Sequence, residues 1–339
     1  MIRVVALTSG PETPSSRFRV RQYIAPLGAR GIEVSEHHLG YSKFEARPER
    51  LKARLMTLRK LGGRLPGVLA SRRADVTWLQ RELIPGRMTL EGFTKRPRLF
   101  DVDDAIWLNG KAEFSERIAG ASDGVIAGNA FLAAHYQAAG NRVWVVPTSI
   151  DTNRWRPHPH PAATEFTIGW IGTGSNLGYL LDVEEALAEF LAEEREGRLL
   201  VVSDQEPRFT KLPKEKWSFE RWTAEREIEL VQRMDLGLMP LPDTEWARGK
   251  CSGKMLSYMA VGIPVVVSPV GVNLEILERG TVGLPATTKS DWFNALKLLF
   301  RDRDQSVRLG SAGRELVERA YSVRKSAPLL ERLFREVAG

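Results

Sequence analysis

At 339 residues, with 43% hydrophobic and 27% charged residues, the chain has the size and balance of two soluble globular domains, each able to bury its own core. Nowhere does it hold the roughly 18 consecutive apolar residues that a membrane-spanning helix needs. Its single cysteine, Cys251, excludes an intrachain disulfide and fits a reducing cytoplasm. The net charge of +7 is unevenly spread: residues 1–160 hold 25 Lys and Arg against 15 Asp and Glu, whereas residues 161–339 hold 24 against 27.

The opening stretch MIRVVALTSG reads as a strand, Ile2–Leu7, and its loop, with too short an apolar run for a signal peptide. A helix is expected over Phe18–Arg30 and a short strand at Ile32–Val34. Next comes the most basic part of the chain, residues 47–73, with nine Lys and Arg and one acid, Glu49. Leu51, Leu55, Leu58 and Leu61 recur there at helical spacing. Such a segment either packs on its own domain with a solvated basic face or lies on an anionic membrane surface. Nucleic acid is not expected as a partner, because no recognised motif or aromatic interleaving accompanies the charge. Further strands are expected at Val76–Gln80, Leu99–Val102, Gly124–Ala127 and Val143–Pro147. Asn129 is placed to cap a helix running to Ala139.

Residues 151–163, DTNRWRPHPHPAA, are rich in proline and read as a linker. Strands Phe166–Ile171, Leu199–Ser203, Trp217–Phe219, Leu236–Leu241 and Ile263–Val267 follow. Helices are expected over Tyr179–Glu194, from Glu225, over Trp292–Arg301 and Gln305–Ala320, and last over Ala327–Val337. Strand and helix alternate throughout, which predicts an α/β chain with parallel sheets and right-handed crossovers.

The richest stretch is 250–277. Lys250 and Lys254 stand near a helix start, an apolar strand follows, and Gly271, Val272 and Asn273 open another helix. Cations and unpaired N–H groups at helix starts suit a phosphate-bearing ligand. Glycines Gly172 and Gly174, around Thr173 after the first strand of the second half, would let backbone approach such a ligand closely. In the first half Asp101, Asp103 and Asp104 cluster after a strand, where one carboxylate could take a proton from a hydroxyl. Three acids so close predict a raised pKa or a cationic neighbour, for which Arg17 and Arg19 are candidates.

These motifs, in this order, resemble the GT-B glycosyltransferases, and family 4 (glycosyl transferases group 1) most of all. The carriers are PSSRFRVRQYIAPLGARGIEV (14–34), FDVDDAIWL (100–108), GVIAGNAFLAAHY (124–136), VVPTSIDTNRW (145–155), IGWIGTGSN (168–176), DLGLMPLPD (235–243) and the 250–277 stretch. The resemblance implies two Rossmann-like domains whose parallel sheets face a central cleft. Residues 1–150 would form an acceptor domain and 164–325 a nucleotide-sugar donor domain. Residues 326–339 would form a helix crossing back to the first domain.

The implied activity is metal-independent transfer of a sugar from a UDP- or GDP-linked donor to a glycan or glycolipid acceptor, in the cytoplasm or at its membrane, with no cofactor. On this resemblance Lys254 contacts the donor diphosphate. Gly172, Thr173, Gly174, Arg248, Lys250, Ser257, Gly271, Val272 and Glu275 complete the donor side. Asp103 and Asp104 are the catalytic candidates, with Arg17 and Arg19 on the acceptor side. The chain departs from the family at two positions. Many members carry a pair of glutamates separated by seven intervening residues, and an ungapped match places Gly249 and Ser257 there. A non-catalytic GT-B subunit that binds a glycan or a partner is the alternative.

Overall fold

The computed structural model describes residues 1–40, 50–108, 113–158 and 165–339, with the side chains of residues 50–54 excepted. The chain forms two compact units. The first comprises Met1–Ser149, Gly249–Cys251 and Val323–Gly339; the second comprises Ile150–Arg248 and Ser252–Ser322.

The first unit is a six-stranded sheet of β1 (Ile2–Leu7), β2 (Ile32–His37), β3 (Val76–Gln80), β4 (Arg98–Val102), β5 (Gly124–Ala127) and β6 (Val143–Val145). The order is β2-β1-β3-β4-β5-β6, parallel throughout. Every residue of β3, β4 and β5 is buried, as expected for parallel strands covered on both faces. The final helix, Val323–Ala338, belongs to this unit's core: Leu330, Leu333 and Phe334 pack with Val4, Val76 and Leu99. Phe334 meets the Trp78 ring edge-on at 5.1 Å.

The single helix expected over Phe18–Arg30 is instead Pro14–Arg19, a 3₁₀ turn at Arg21–Tyr23 and Ile24–Gly28. Pro14 opens the first piece, where its fixed φ suits a helix start. The basic segment forms the helix Arg50–Ser71; residues 47–49 lie outside the described residues.

The second unit repeats the plan with β7 (Phe166–Ile171), β8 (Gly197–Ser203), β9 (Trp217–Arg221), β10 (Leu236–Met239), β11 (Val265–Val267) and β12 (Gly283–Pro285). The order is β12-β11-β10-β7-β8-β9, again parallel. Its core gathers Phe166, Ile168 and Trp170 with Phe190, Leu199, Trp292 and Leu296. The last helices of this unit begin earlier than expected: Thr288 and Asp291 form a reciprocal capping box for Lys289–Arg301, and Asp302 caps Arg303–Ala320 by accepting from Gln305 N at 2.7 Å.

The stretch expected to be a linker is, over its described part, packed into this unit. Trp155 is buried, and Arg314 donates to the carbonyls of Thr152, at 2.9 Å, and of Trp155. Residues 159–163 of that stretch lie outside the described residues. The α/β class and both parallel sheets agree with the sequence expectation.

Candidate functional site

In the first unit, β4 ends in the acid cluster. Asp101 is fully buried and accepts from Arg19 Nε at 2.9 Å, Arg19 Nη2 at 3.2 Å and Trp78 Nε1 at 3.1 Å. Arg19 Nη1 donates to the Val146 carbonyl at 2.6 Å. Burial alone would disfavour the Arg19 cation; the Asp101 charge and hydrogen bonds outweigh it and raise the pKa above its ordinary value. Arg19, expected on the acceptor side and as a cationic neighbour of the acids, is that neighbour for Asp101, and in this role it ties the first helix to β4 and the β6 loop. Arg17 is half-buried, its guanidinium 5.4 Å from the Phe18 ring centroid.

Asp103 and Asp104 are also served by a cation that no sequence motif marks, Arg81. Arg81 follows β3 in a left-handed conformation, φ 61°, unusual for a residue with a Cβ. Its Nη1 lies 3.2 Å from Asp104 Oδ2, and its Nε 3.9 Å from Asp103 Oδ1 and 3.9 Å from Glu82 Oε2. Because β3 and β4 are neighbours, their ends bring Arg81 to the aspartates. The sequence signal was present, an Arg-Glu pair directly after a strand, but no motif marks it. Lys250 Nζ stands 3.8 Å from Asp104 Oδ1. Lys250 was expected on the donor side, yet it belongs to the first unit, with Gly249 and Cys251.

Asn129 secures that loop. Its Oδ1 caps the helix Ala130–Ala138 at Leu132 N, 2.8 Å, and its Nδ2 donates to the carbonyls of Gly249 and Lys250 at 3.1 and 3.2 Å. The Cys251 thiol, pushed up by burial, donates to the Asp103 carbonyl at 3.3 Å. Burial raises the Asp103 carboxyl to about 6; Arg81 opposes the rise and Asp104 adds to it.

In the second unit, β7 delivers Gly172–Ser175. A Cβ at Gly172 would lie 2.6 Å from the Trp170 ring and 2.8 Å from Lys254 Cε, so glycine is required here by space. The Gly172 N–H continues the sheet to Val202 O at 3.0 Å and is not offered to a ligand. Gly174 N donates to Asp204 Oδ1 at 2.6 Å, and Thr173 Oγ1 is bonded by Ser175 and Asn176. Tyr258 steadies this loop: its ring fills the space a Cβ on Gly237 would need, and its hydroxyl accepts from Ile171 N at 2.8 Å.

Lys254 is the second residue of the helix Gly253–Ala260, half-buried, with Nζ 5.6 Å from the Trp170 ring centroid. Ser252, in front of this helix, is left-handed at φ 53° and bonds Asn273 Oδ1 at 2.6 Å. Asn273 Nδ2 in turn donates to Ser268 O at 3.1 Å. This network locks the Lys254 helix to the glycine loop before Val272–Glu278. Gly271 has φ 54°, and a Cβ there would lie 2.9 Å from Arg248 O and 3.0 Å from Arg248 Cα. The N–H groups of Gly271 and Val272 have no acceptor among the described residues. Glu275 lies half-buried in the first turn of that helix.

Replacing Gly271 by alanine is therefore expected to lower unfolding free energy by about 1–3 kcal/mol, since both φ and space oppose a Cβ. A urea titration of the variant checks this; an unchanged midpoint would show that the loop relaxes freely.

Three expected donor residues are placed differently. The Arg248 fork is turned to Asp243, at 2.8 and 3.1 Å, on the surface. Ser257 is buried and donates back to Gly253 O at 2.9 Å, which leaves its hydroxyl only as an acceptor. Lys250 serves Asp104, as described above. Gly249 has no room for a side chain: a Cβ would lie 2.6 Å from Ala105 Cβ and 2.9 Å from Ala105 N. A glutamate at this position would not fit the local packing.

No curated protein matches the sequence. The family described as glycosyl transferases group 1 matches residues 165–302, which are most of the second unit. Among solved structures, sucrose-phosphate synthase from Thermosynechococcus elongatus superposes with a TM-score of 0.73 at 14% identity, over 99% of both chains. HepE of Anabaena, solved with UDP, gives 0.67 at 15% identity, over 99% of this chain and 100% of that one. WaaG, a glycosyltransferase involved in lipopolysaccharide biosynthesis, gives 0.69 at 13%, over 98% and 99%. At these identities the structures establish the fold. The chain has, along its length, the α/β fold of these glycosyltransferase structures, and its residues 165–302 match the family described as glycosyl transferases group 1.

Proposed function

We propose that this protein is a glycosyltransferase that moves a sugar from a nucleotide-sugar donor to a hydroxyl on a glycan or glycolipid acceptor in bacterial-type glycan biosynthesis. The observation that carries the reading is Lys254, set against Gly172 and Trp170 in the segment that matches glycosyl transferases group 1. In this role Lys254 and the N–H groups of Gly271 and Val272 meet the charge that grows on the departing diphosphate. No metal is needed for that task. Glu275 faces the transferred sugar. Asp103 takes the acceptor proton, and Arg81 and Lys250 lie against Asp104 beside it. UDP sugars are the first donors to test, because HepE was solved with UDP and with UDP-glucose. Lack of any disulfide requirement suits a cytoplasmic site of action.

A second reading keeps donor binding and drops turnover. It is favoured by Gly249, which cannot carry a side chain, and by Ser257, whose hydroxyl is committed to its own helix. Thermal melting with a panel of UDP and GDP sugars, followed by assay of donor cleavage with glycan acceptors, separates the readings. A shift in melting together with cleavage is expected. A shift without cleavage would leave the binding subunit, and no shift with any donor would overturn both.

A further inference from the structure

The helix Arg50–Ser71 is mounted in an unexpected rotation. Its buried side carries cations, with Lys60 9% and Arg64 2% exposed, while Leu55, Leu58, Leu65 and Leu69 are 61, 64, 48 and 60% exposed. The reason lies in the contacts of the inner face. Arg64 Nε and Nη2 donate to Leu83 O at 3.2 and 3.1 Å, and its Nη1 reaches Thr8 O. Gly67 approaches β2 so closely that a Cβ would lie 2.9 Å from His37 Cβ. These two residues fix which side faces the sheet. With about 100° per residue, the four leucines fall within an arc of about 80° on the opposite side. They form a stripe about 21 Å long. Exposed apolar rows of this size on a soluble domain mark a surface that meets something apolar.

The charges beside the stripe identify that partner. The helix holds no acidic residue. Arg59 lies exposed on its flank, and Arg72 and Arg73 are exposed just past its end. We propose that this face docks the protein on an anionic phospholipid surface, with the leucines entering the headgroup–acyl boundary and the arginines meeting lipid phosphates. Amphipathic helices of this kind lie in the interface plane rather than crossing it. Among the described residues no helix is long and apolar enough to cross a membrane, which agrees with a peripheral mode. A second copy of the chain fits the face less well. Two such helices laid together would oppose like charges with no carboxylate on either to pair them.

The test is flotation of the whole protein with mixed phosphatidylglycerol–phosphatidylcholine vesicles and with pure phosphatidylcholine vesicles, at low and high salt. Binding to the anionic vesicles alone is expected, weakening as salt rises. Replacing Leu55, Leu58, Leu65 and Leu69 together by serine should reduce partitioning about tenfold or more without lowering the melting temperature. The pair R72E/R73E, which touches no packed face, should reduce it several-fold. Wild-type protein that ignores anionic vesicles would overturn the proposal. So would a serine variant that binds equally well, or equal binding to neutral vesicles. A dimer in sedimentation that the serine substitutions dissociate, with no vesicle binding, would assign the face to self-association instead. No sugar donor enters these experiments, so their outcome is independent of glycosyl transfer.

Discussion

Replacing Lys254 by alanine is expected to weaken the binding of a nucleoside diphosphate about tenfold to a hundredfold. That range is what one charge-assisted contact to phosphate contributes. The stem of Lys254 is held where Gly172 leaves space beside Trp170, so its ammonium is positioned in advance. The loss of turnover should exceed the loss of binding, reaching about 10²–10³ in kcat, because charge on the leaving phosphate is greatest in the transition state. Lys254→Arg should recover binding only in part, since a planar fork does not fit the slot of a single ammonium. Calorimetry with UDP and with GDP reads the first effect and donor cleavage the second. Equal affinity in wild type and the alanine variant would remove Lys254 from the donor site. Lys254 is half-buried at a helix start, so the fold should survive its loss.

Asp103 carries the other large effect. Its carboxyl is raised by burial to about 6, and a base of that strength is well matched to a hydroxyl acceptor near neutral pH. A general base acts ionised, so activity should climb as pH rises through about 6, and Asp103→Asn should lower kcat about 10²–10⁴-fold and abolish that limb. A limb that persists in the variant would assign the proton to another group. Stability should move in the opposite sense. A carboxyl raised above its unfolded value favours the folded state fully below about pH 4 and loses that contribution as pH rises through about 6. Above that, the native state holds a buried negative charge only partly offset by Arg81. Asp103→Asn is then expected to gain stability relative to wild type on going from pH 4 to pH 8, by about 1–3 kcal/mol. Chemical denaturation at the two pH values reads it.

Much of the fold could be read along the chain, because a parallel strand buried on both faces writes itself as a short apolar run. Ile2–Leu7, Val76–Gln80, Gly124–Ala127 and Phe166–Ile171 were legible to the residue for that reason. Gly283–Pro285 was not, since three residues at a sheet edge carry no pattern. The helix start after Asn129 was legible from its cap, whereas those after Thr13, Thr288 and Asp302 lie two to four residues earlier than the apolar period alone suggests.

The candidate site divides in the same way. Residue type and order along the chain already pointed to Lys254, to the glycines after β7 and before Val272, and to the acids after β4, because each is a local feature of a strand end or helix start. Which of them face a ligand is a question of partners distant in sequence. Arg19 was withdrawn by Asp101, 82 residues away, Arg248 by Asp243, and Lys250 by its place beside Asp104. Arg81 was brought in only because β3 and β4 lie side by side. The basic helix is the sharpest case. Its composition and leucine spacing stand in the sequence, but period alone does not say which side turns inward. Arg64, satisfied by two carbonyl groups, and Gly67, pressed against His37, set that rotation and left the leucines outside.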